Sequence, residues 1–161
     1  MWTSQDLHQL TKEKTGDCLF MVVSNRQPYI HTYKGGKIIY QRGPGGIITA
    51  VEPIMQACNG TWVACSSGNA DRKVSDSNGK VNVPPEKPTY TLKRVWLSKE
   101  EEKGYYYGYS NEALWPLCHV AFQRPIFRRE DWDYYVKVNQ KFAKAVMEEI
   151  GDRKAIIWIQ D

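Results

Sequence analysis

The sequence predicts an α/β fold built on a mostly parallel sheet, and three observations carry that expectation. Residues 18–23 are six apolar residues without a break, short and rich in Val and Phe, as suits a strand buried on both faces. Gly43-Pro44-Gly45-Gly46 runs directly into Ile47, Ile48, Val51, Ile54 and Met55 at helical spacing, so a glycine-rich loop opens a helix. Asp131 precedes Trp132, Tyr135, Val136, Phe142, Ala143, Val146, Met147 and Ile150, an apolar stripe that Gly151 can end. The apolar run Ala155–Ile159 follows and reads as another buried strand. Helix then strand in that order fits a right-handed crossover beside a parallel sheet.

In chain order, residues 1–17 are polar, with Trp2, Leu7 and Leu10 as one weak stripe; an arm or short helix is expected. The first strand stops at Ser24-Asn25-Arg26. Ligands of open α/β sheets sit beyond the carboxyl ends of strands, and the planar fork of Arg suits a phosphate. The alternative is that Arg26 only solvates a strand end. Residues 29–33 and 37–41 flank Lys34-Gly35-Gly36 and read as a β-hairpin with a glycine turn. The loop at 43–46 would bare backbone N–H groups at a helix N-terminus, which favours an anion; taken alone, the glycines read first as a plain tight turn. Pro53 interrupts the helix pattern and Asn59-Gly60 can stop it. Thr61–Cys65 reads as a second core strand. Residues 66–88 are polar, with Asn78-Gly79 placed for a hairpin turn between Val74 and Val81, and are expected as a surface excursion. Residues 90–97 read as a third strand, and Ser98 with Glu101 has capping-box spacing. Residues 105–116 carry four tyrosines and Trp115 among glycine and serine. Such rings pack in a core or stack on a sugar face, and their clustering suggests a shaped surface. The last strand ends at Gln160-Asp161, which would bring Asp161 to one rim with Arg26; otherwise Asp161 is an exposed carboxylate.

The 161 residues suffice for a proper core, and 42% hydrophobic with 25% charged residues is ordinary for a globular chain. A net charge of +4, from 22 basic and 18 acidic residues, is too mild and too well mixed for nucleic acid. Arg124, Arg128 and Arg129 near the tyrosines are diluted by Glu112, Glu130, Asp131 and Asp133, against the basic groove that single strands need. Cys18, Cys58, Cys65 and Cys118 form no Cys-x-x-Cys pair, and His8, His31 and His119 lie in unrelated contexts, so no metal site is expected. No secretory signal and no membrane-length apolar run is visible, making the cytoplasm the default expectation.

Taken together, several motifs resemble one family. They are Val-Ser-Asn-Arg at 23–26, Gly-Gly at 45–46, Tyr-Tyr-x-x-x-Ser-Asn-x-x-Leu-Trp-Pro at 105–116, Val-Asn-x-x-Phe-Ala at 138–143 and Trp-Ile-Gln-Asp at 158–161. Their order and spacing over residues 18–161 are similar to the N-terminal part of trehalose-6-phosphate synthases. These retaining glycosyltransferases join the glucose of a nucleotide sugar to glucose 6-phosphate. The resemblance implies the N-terminal half of a GT-B architecture: an arm at 1–17, then a Rossmann-like acceptor-binding domain at 18–161 with an added hairpin. It implies that Arg26 grips the acceptor phosphate, that Tyr106 and Trp115 belong to the acceptor pocket, and that Asp161 hydrogen-bonds acceptor hydroxyls at the reaction centre. Gly45 and Gly46 match the loop whose backbone meets the donor diphosphate. It implies no cofactor and no metal, with a nucleotide sugar such as UDP-glucose as co-substrate.

The chain departs from the family pattern in three places. Trp62-Val-Ala-Cys65 stands where Trp-x-Gly-Trp is usual, Gln160 stands where His is usual, and the chain ends at Asp161. The family's nucleotide-binding second domain is not in these residues, so the chain alone is expected to be a poor enzyme. The alternatives are a non-catalytic sugar-phosphate-binding module, or a related glycosyltransferase with another phosphorylated acceptor.

Overall fold

The structure is a computed structural model that describes residues 3–160. It divides into two units, one comprising residues up to Val95 together with those from Ala145 on, the other Trp96–Lys144.

The first unit runs α1 (Ser4–Thr15), β1 (Leu19–Arg26), β2 (Tyr29–Lys34), β3 (Lys37–Arg42), α2 (Gly46–Cys58), β4 (Thr61–Cys65), a one-turn α3 (Asp71–Val74), β5 (Lys80–Val83) and β6 (Tyr90–Val95), with β7 (Ala155–Ile159) returning at the end. Five strands make one sheet in the order β5-β6-β4-β1-β7. β6, β4, β1 and β7 are parallel, and β5 is an antiparallel edge strand. The expected α/β fold with a mostly parallel sheet is therefore the one observed. β2 and β3 form the expected separate hairpin, and Gly35 and Gly36 take φ of 56° and 75° at its tip, values that suit glycine in a primed turn.

The core lies where α2 covers the sheet. Ile48, Val51 and Met55 repeat at helical spacing and pack with Val22, Trp62 and Leu92. Each such side chain contributes about 1.5–3 kcal/mol by leaving water. α2 keeps Pro53 inside it and ends on Asn59 in the left-handed conformation at φ 51°, which Asn tolerates.

Three expectations change here. Residues 4–15 are a full helix: Thr3 and Asp6 form a capping box, and Gly16 ends it. His8 Nδ1 meets the Ala57 carbonyl, tying α1 to α2, while Trp2 lies outside the described residues. Residues 66–88 do not form a hairpin between Val74 and Val81; Val74 ends α3, and Val81 sits in β5 opposite Leu92 of β6. Nor is that segment only a surface excursion, since Asp71 within it is completely buried. Finally, β7 is an edge strand with Ile157 41% exposed, so its apolar run is not buried on both faces.

The second unit begins with Ser98, whose side chain and that of Glu101 form the expected capping box on α4 (Lys99–Glu102). A π-helix (Lys103–Leu114) and α5 (Trp115–Cys118) continue from it, and α6 (Arg129–Ile150) supplies its residues through Lys144. Gly104 and Gly108 are buried against α6: a Cβ at Gly104 would stand 2.8 Å from Tyr134 Cγ. The small residues thus take the packing face and the rings lie to the side, with Tyr109 4.7 Å from Tyr135 and 5.1 Å from Trp132 between centroids. Buried Glu101 pairs with Lys137 at 3.0 Å and Lys141 at 2.6 Å. Burial would raise its carboxyl, but these lysines and the Ser98 N–H hold it down at about 2. Among the described residues no helix is long and apolar enough to cross a membrane.

Candidate functional site

Arg26 sits at the carboxyl end of β1 and is exposed. Pairing with β4 is regular up to Ser24 opposite Ala64, then skips: Arg26 stands opposite Cys65 and Asn25 is an extra residue. This is a β-bulge, a feature that re-aims side chains near sites. Ser24 fixes it. Its Oγ accepts from Trp62 Nε1 at 2.8 Å and donates to the Arg26 carbonyl at 2.8 Å.

The glycine loop meets this strand end. Gly43 N–H donates to the Pro28 carbonyl at 2.9 Å. A Cβ on Gly43 would collide with the Gln27 carbonyl and lie 2.8 Å from Ile48 Cδ1, so only glycine lets the loop run this close. Gly45 is the N-cap of α2 at φ 123°, ψ 154°, backbone space reserved for glycine. Arg26 Nη1 lies 3.8 Å from where a Gly45 Cβ would be. The loop's other end is held by Arg42, which pairs with Glu52 on α2. Glu52 is buried and also accepts from Tyr29 Oη at 2.7 Å and Tyr90 Oη at 3.0 Å. Burial first, then the Glu52 carboxylate, pushes both phenols well above their usual range, so they stay protonated as donors. The N-terminus of α2 has no capping side chain and no acidic residue in its first turn. A helix dipole, an N-terminus without a side-chain cap and a guanidinium at one place are the features that suit a phosphate-like anion.

Beneath the strand end is a buried polar cluster that the sequence reading missed. Asp71 accepts from Gln27 Nε2 at 2.6 Å, His31 N at 2.8 Å, Gly68 N at 2.8 Å, Ser66 Oγ at 2.9 Å and Ser67 N at 3.1 Å. Arg94, also buried, pairs with it at 3.2 Å. Burial alone would raise the Asp71 carboxyl; hydrogen bonds from His31 and Gln27 and the Arg94 charge override it and hold the group well below the usual carboxylate range. Arg94 completes its shell on Gln27 Oε1, the Tyr29 and Asp71 carbonyls, Ser75 Oγ and His31 Nδ1. The one signal in the sequence was Lys93-Arg94 in the middle of a strand pattern.

Of the other expected site residues, Tyr106 and Trp115 belong to the second unit. Tyr106 is half-buried, 5.1 Å from Tyr107 in edge geometry. Trp115 is 50% exposed and stacks on His119 at 4.4 Å between centroids. Asp161 lies outside the described residues. Among the described residues no group of three His, Cys, Asp or Glu gathers as a metal site.

A family model described as glycosyltransferase family 20 matches residues 19–161. The chain belongs to glycosyltransferase family 20. Among family 20 relatives, the trehalose-6-phosphate synthase of Mycolicibacterium vanbaalenii is 37% identical over 149 residues, covering 92% of this chain and 30% of the relative. That of Mycobacterium tuberculosis is 36% identical over 158 residues, covering 98% and 31%. This chain thus spans about a third of the length of the curated relatives it matches. The Escherichia coli protein solved with UDP-2-fluoro glucose superposes with a TM-score of 0.60 at 27% identity, over 87% of this chain and 27% of that one. A UDP-forming synthase from Burkholderia vietnamiensis superposes with a TM-score of 0.61 at 22% identity, over 89% and 27%, a likeness of fold alone. The neighbours are GT-B proteins, in line with the architecture the motifs implied.

Proposed function

We propose that this chain is the acceptor-side part of a trehalose-6-phosphate synthase-like glycosyltransferase, which moves glucose from a nucleotide sugar to glucose 6-phosphate with retention. The observation that carries the reading is the Arg26 guanidinium beside Gly45 at the uncapped N-terminus of α2. Membership of family 20 and the relatives' names support the same chemistry.

In this reading Arg26 grips the acceptor phosphate through charge-assisted hydrogen bonds. The Gly45 and Gly46 backbone meets the donor diphosphate, where the α2 dipole stabilises charge as the diphosphate leaves. The family pattern makes Tyr106 and Trp115 sugar-contacting rings, and Asp161 the group that orients the acceptor hydroxyl. UDP-glucose is the proposed donor, from the likeness to a protein solved with a UDP-sugar analogue. Positioning of the acceptor hydroxyl against the anomeric carbon supplies much of the rate. Weak or no transfer by this chain alone is part of the proposal.

Calorimetric titration with glucose 6-phosphate, glucose and inorganic phosphate tests the grip. Wild type should prefer the phosphate-bearing ligands. Arg26→Ala should lose about 1.5–3 kcal/mol, the worth of hydrogen bonds to a charged group, with an unchanged circular dichroism spectrum. Equal binding by both proteins removes Arg26 from the role.

A further inference from the structure

We propose that Gln27 is a positioning residue for Arg26, coupling the strand end that carries the guanidinium to the buried Asp71–Arg94 pair. The inference rests on the reading of Arg26 as the anion grip. Gln27 is 2% exposed, and its amide is bonded from both ends. Nε2 donates to Asp71 Oδ2 at 2.6 Å and Ser67 Oγ at 3.1 Å, and Oε1 accepts from Arg94 Nε at 2.9 Å. Those partners come from the loop after β4, from α3 and from β6, so one side chain ties the peptide after Arg26 to three separate elements.

An apolar side chain of the same size would fill this space, and buried ionic groups are often no more stabilising than such a replacement. What the polar network adds is direction: each bond fixes where the Gln27 backbone stands. Upstream, Ser24 holds the Arg26 carbonyl. Downstream, Gln27 is locked and Pro28 accepts from Gly43. The Arg26 peptide is therefore clamped on both sides at a bulge, where ladder bonds alone hold a strand poorly. A binding group placed with this tolerance needs such support from behind.

The test uses the full chain with Gln27→Leu, which keeps volume and removes all three bonds. The primary readout is the ¹⁵N heteronuclear NOE of the Arg26 amide, with glucose 6-phosphate titration beside it. Val83→Ala, a buried truncation in β5, is the control for lost stability. The Arg26 NOE should fall in Gln27→Leu but not in Val83→Ala, and affinity for glucose 6-phosphate should drop about ten- to a hundred-fold. Exposed Ser67 is a safer second site: Ser67→Ala removes one Gln27 partner and should lower the NOE less, in the same direction, if Gln27→Leu does not fold. An unchanged Arg26 NOE in the folded variant overturns the proposal. A falling NOE in a chain whose wild type binds no glucose 6-phosphate upholds the coupling and refutes the reading of Arg26 as the grip.

Discussion

Replacing Arg94 by Met tests the buried cluster most directly. Met keeps much of the aliphatic stem, so packing in β6 changes little and the loss is polar. The guanidinium makes five hydrogen bonds, to Gln27, the Asp71 carbonyl, Ser75, the Tyr29 carbonyl and His31, besides its ion pair with Asp71. Breaking a buried ion pair by removing one partner costs about 3–5 kcal/mol. Asp71 would keep five donors, from Gln27, His31, Ser66, Ser67 and Gly68. Its charge would remain solvated by the protein, which places the loss near the lower end, about 3 kcal/mol. For a chain of this size that lowers Tm by about 6–12 °C. Urea unfolding followed by circular dichroism at pH 7 measures it. The loss should also depend on pH with a definite sign. The folded Asp71 carboxyl is depressed, so its contribution is present above the unfolded value of about 4 and disappears as pH falls below it. Without Arg94 the depression is smaller, and the gap between wild type and variant should narrow below about pH 4. A loss under about 1 kcal/mol at pH 7, or a gap that is flat with pH, would refute the picture of a tightly paired buried carboxylate.

Gly45→Ala and Gly46→Ala should separate backbone from space. Gly45 has φ of +123°, so Ala there costs about 1–3 kcal/mol in strain, whereas Gly46 has nothing within 4 Å of an added Cβ and Ala should leave Tm unchanged or higher while weakening phosphate binding by crowding the helix N-terminus. Thermal melts with phosphate titration distinguish the two, and equal destabilisation would contradict the geometry. Glu101, held at about 2, stabilises the folded second unit above its unfolded value of about 4.3. That contribution should fade between about pH 4.3 and 2 and be absent in Glu101→Gln, as acid titration of stability in the two proteins would report.

Local signals served the reading of the fold well. Gly35-Gly36 marked a hairpin because two positive φ angles leave little choice of residue. Ser98 and Glu101 marked a helix start because the capping box is contained in four residues. The Arg26 strand end and the glycine loop were legible as separate pieces of backbone and charge, and the fold brings them side by side. What escaped was set by partners far apart in sequence. Asp71 sits in a polar stretch without periodicity, and only the meeting of Gln27, His31 and Arg94 buries it. The run Ala155–Ile159 reports what a strand is able to bury, whereas its place at the sheet's edge depends on strand order, which no local pattern encodes. Helix α1 was underrated because its cap pairs Thr3 with Asp6 rather than with the usual Glu or Gln.

The extra residue in β1 has a consequence for reach. Were the pairing one-for-one through the end of the strand, Asn25 would occupy the position opposite Cys65 that Arg26 now holds. The guanidinium would then start one step further along, about 3.3 Å, which exceeds a hydrogen-bond length. The bulge at Asn25 thus sets how far the charge extends: a single deletion at Asn25 would leave Arg26 opposite Cys65 in regular pairing, whereas closing the bulge with Asn25 retained would move the guanidinium one step along the strand.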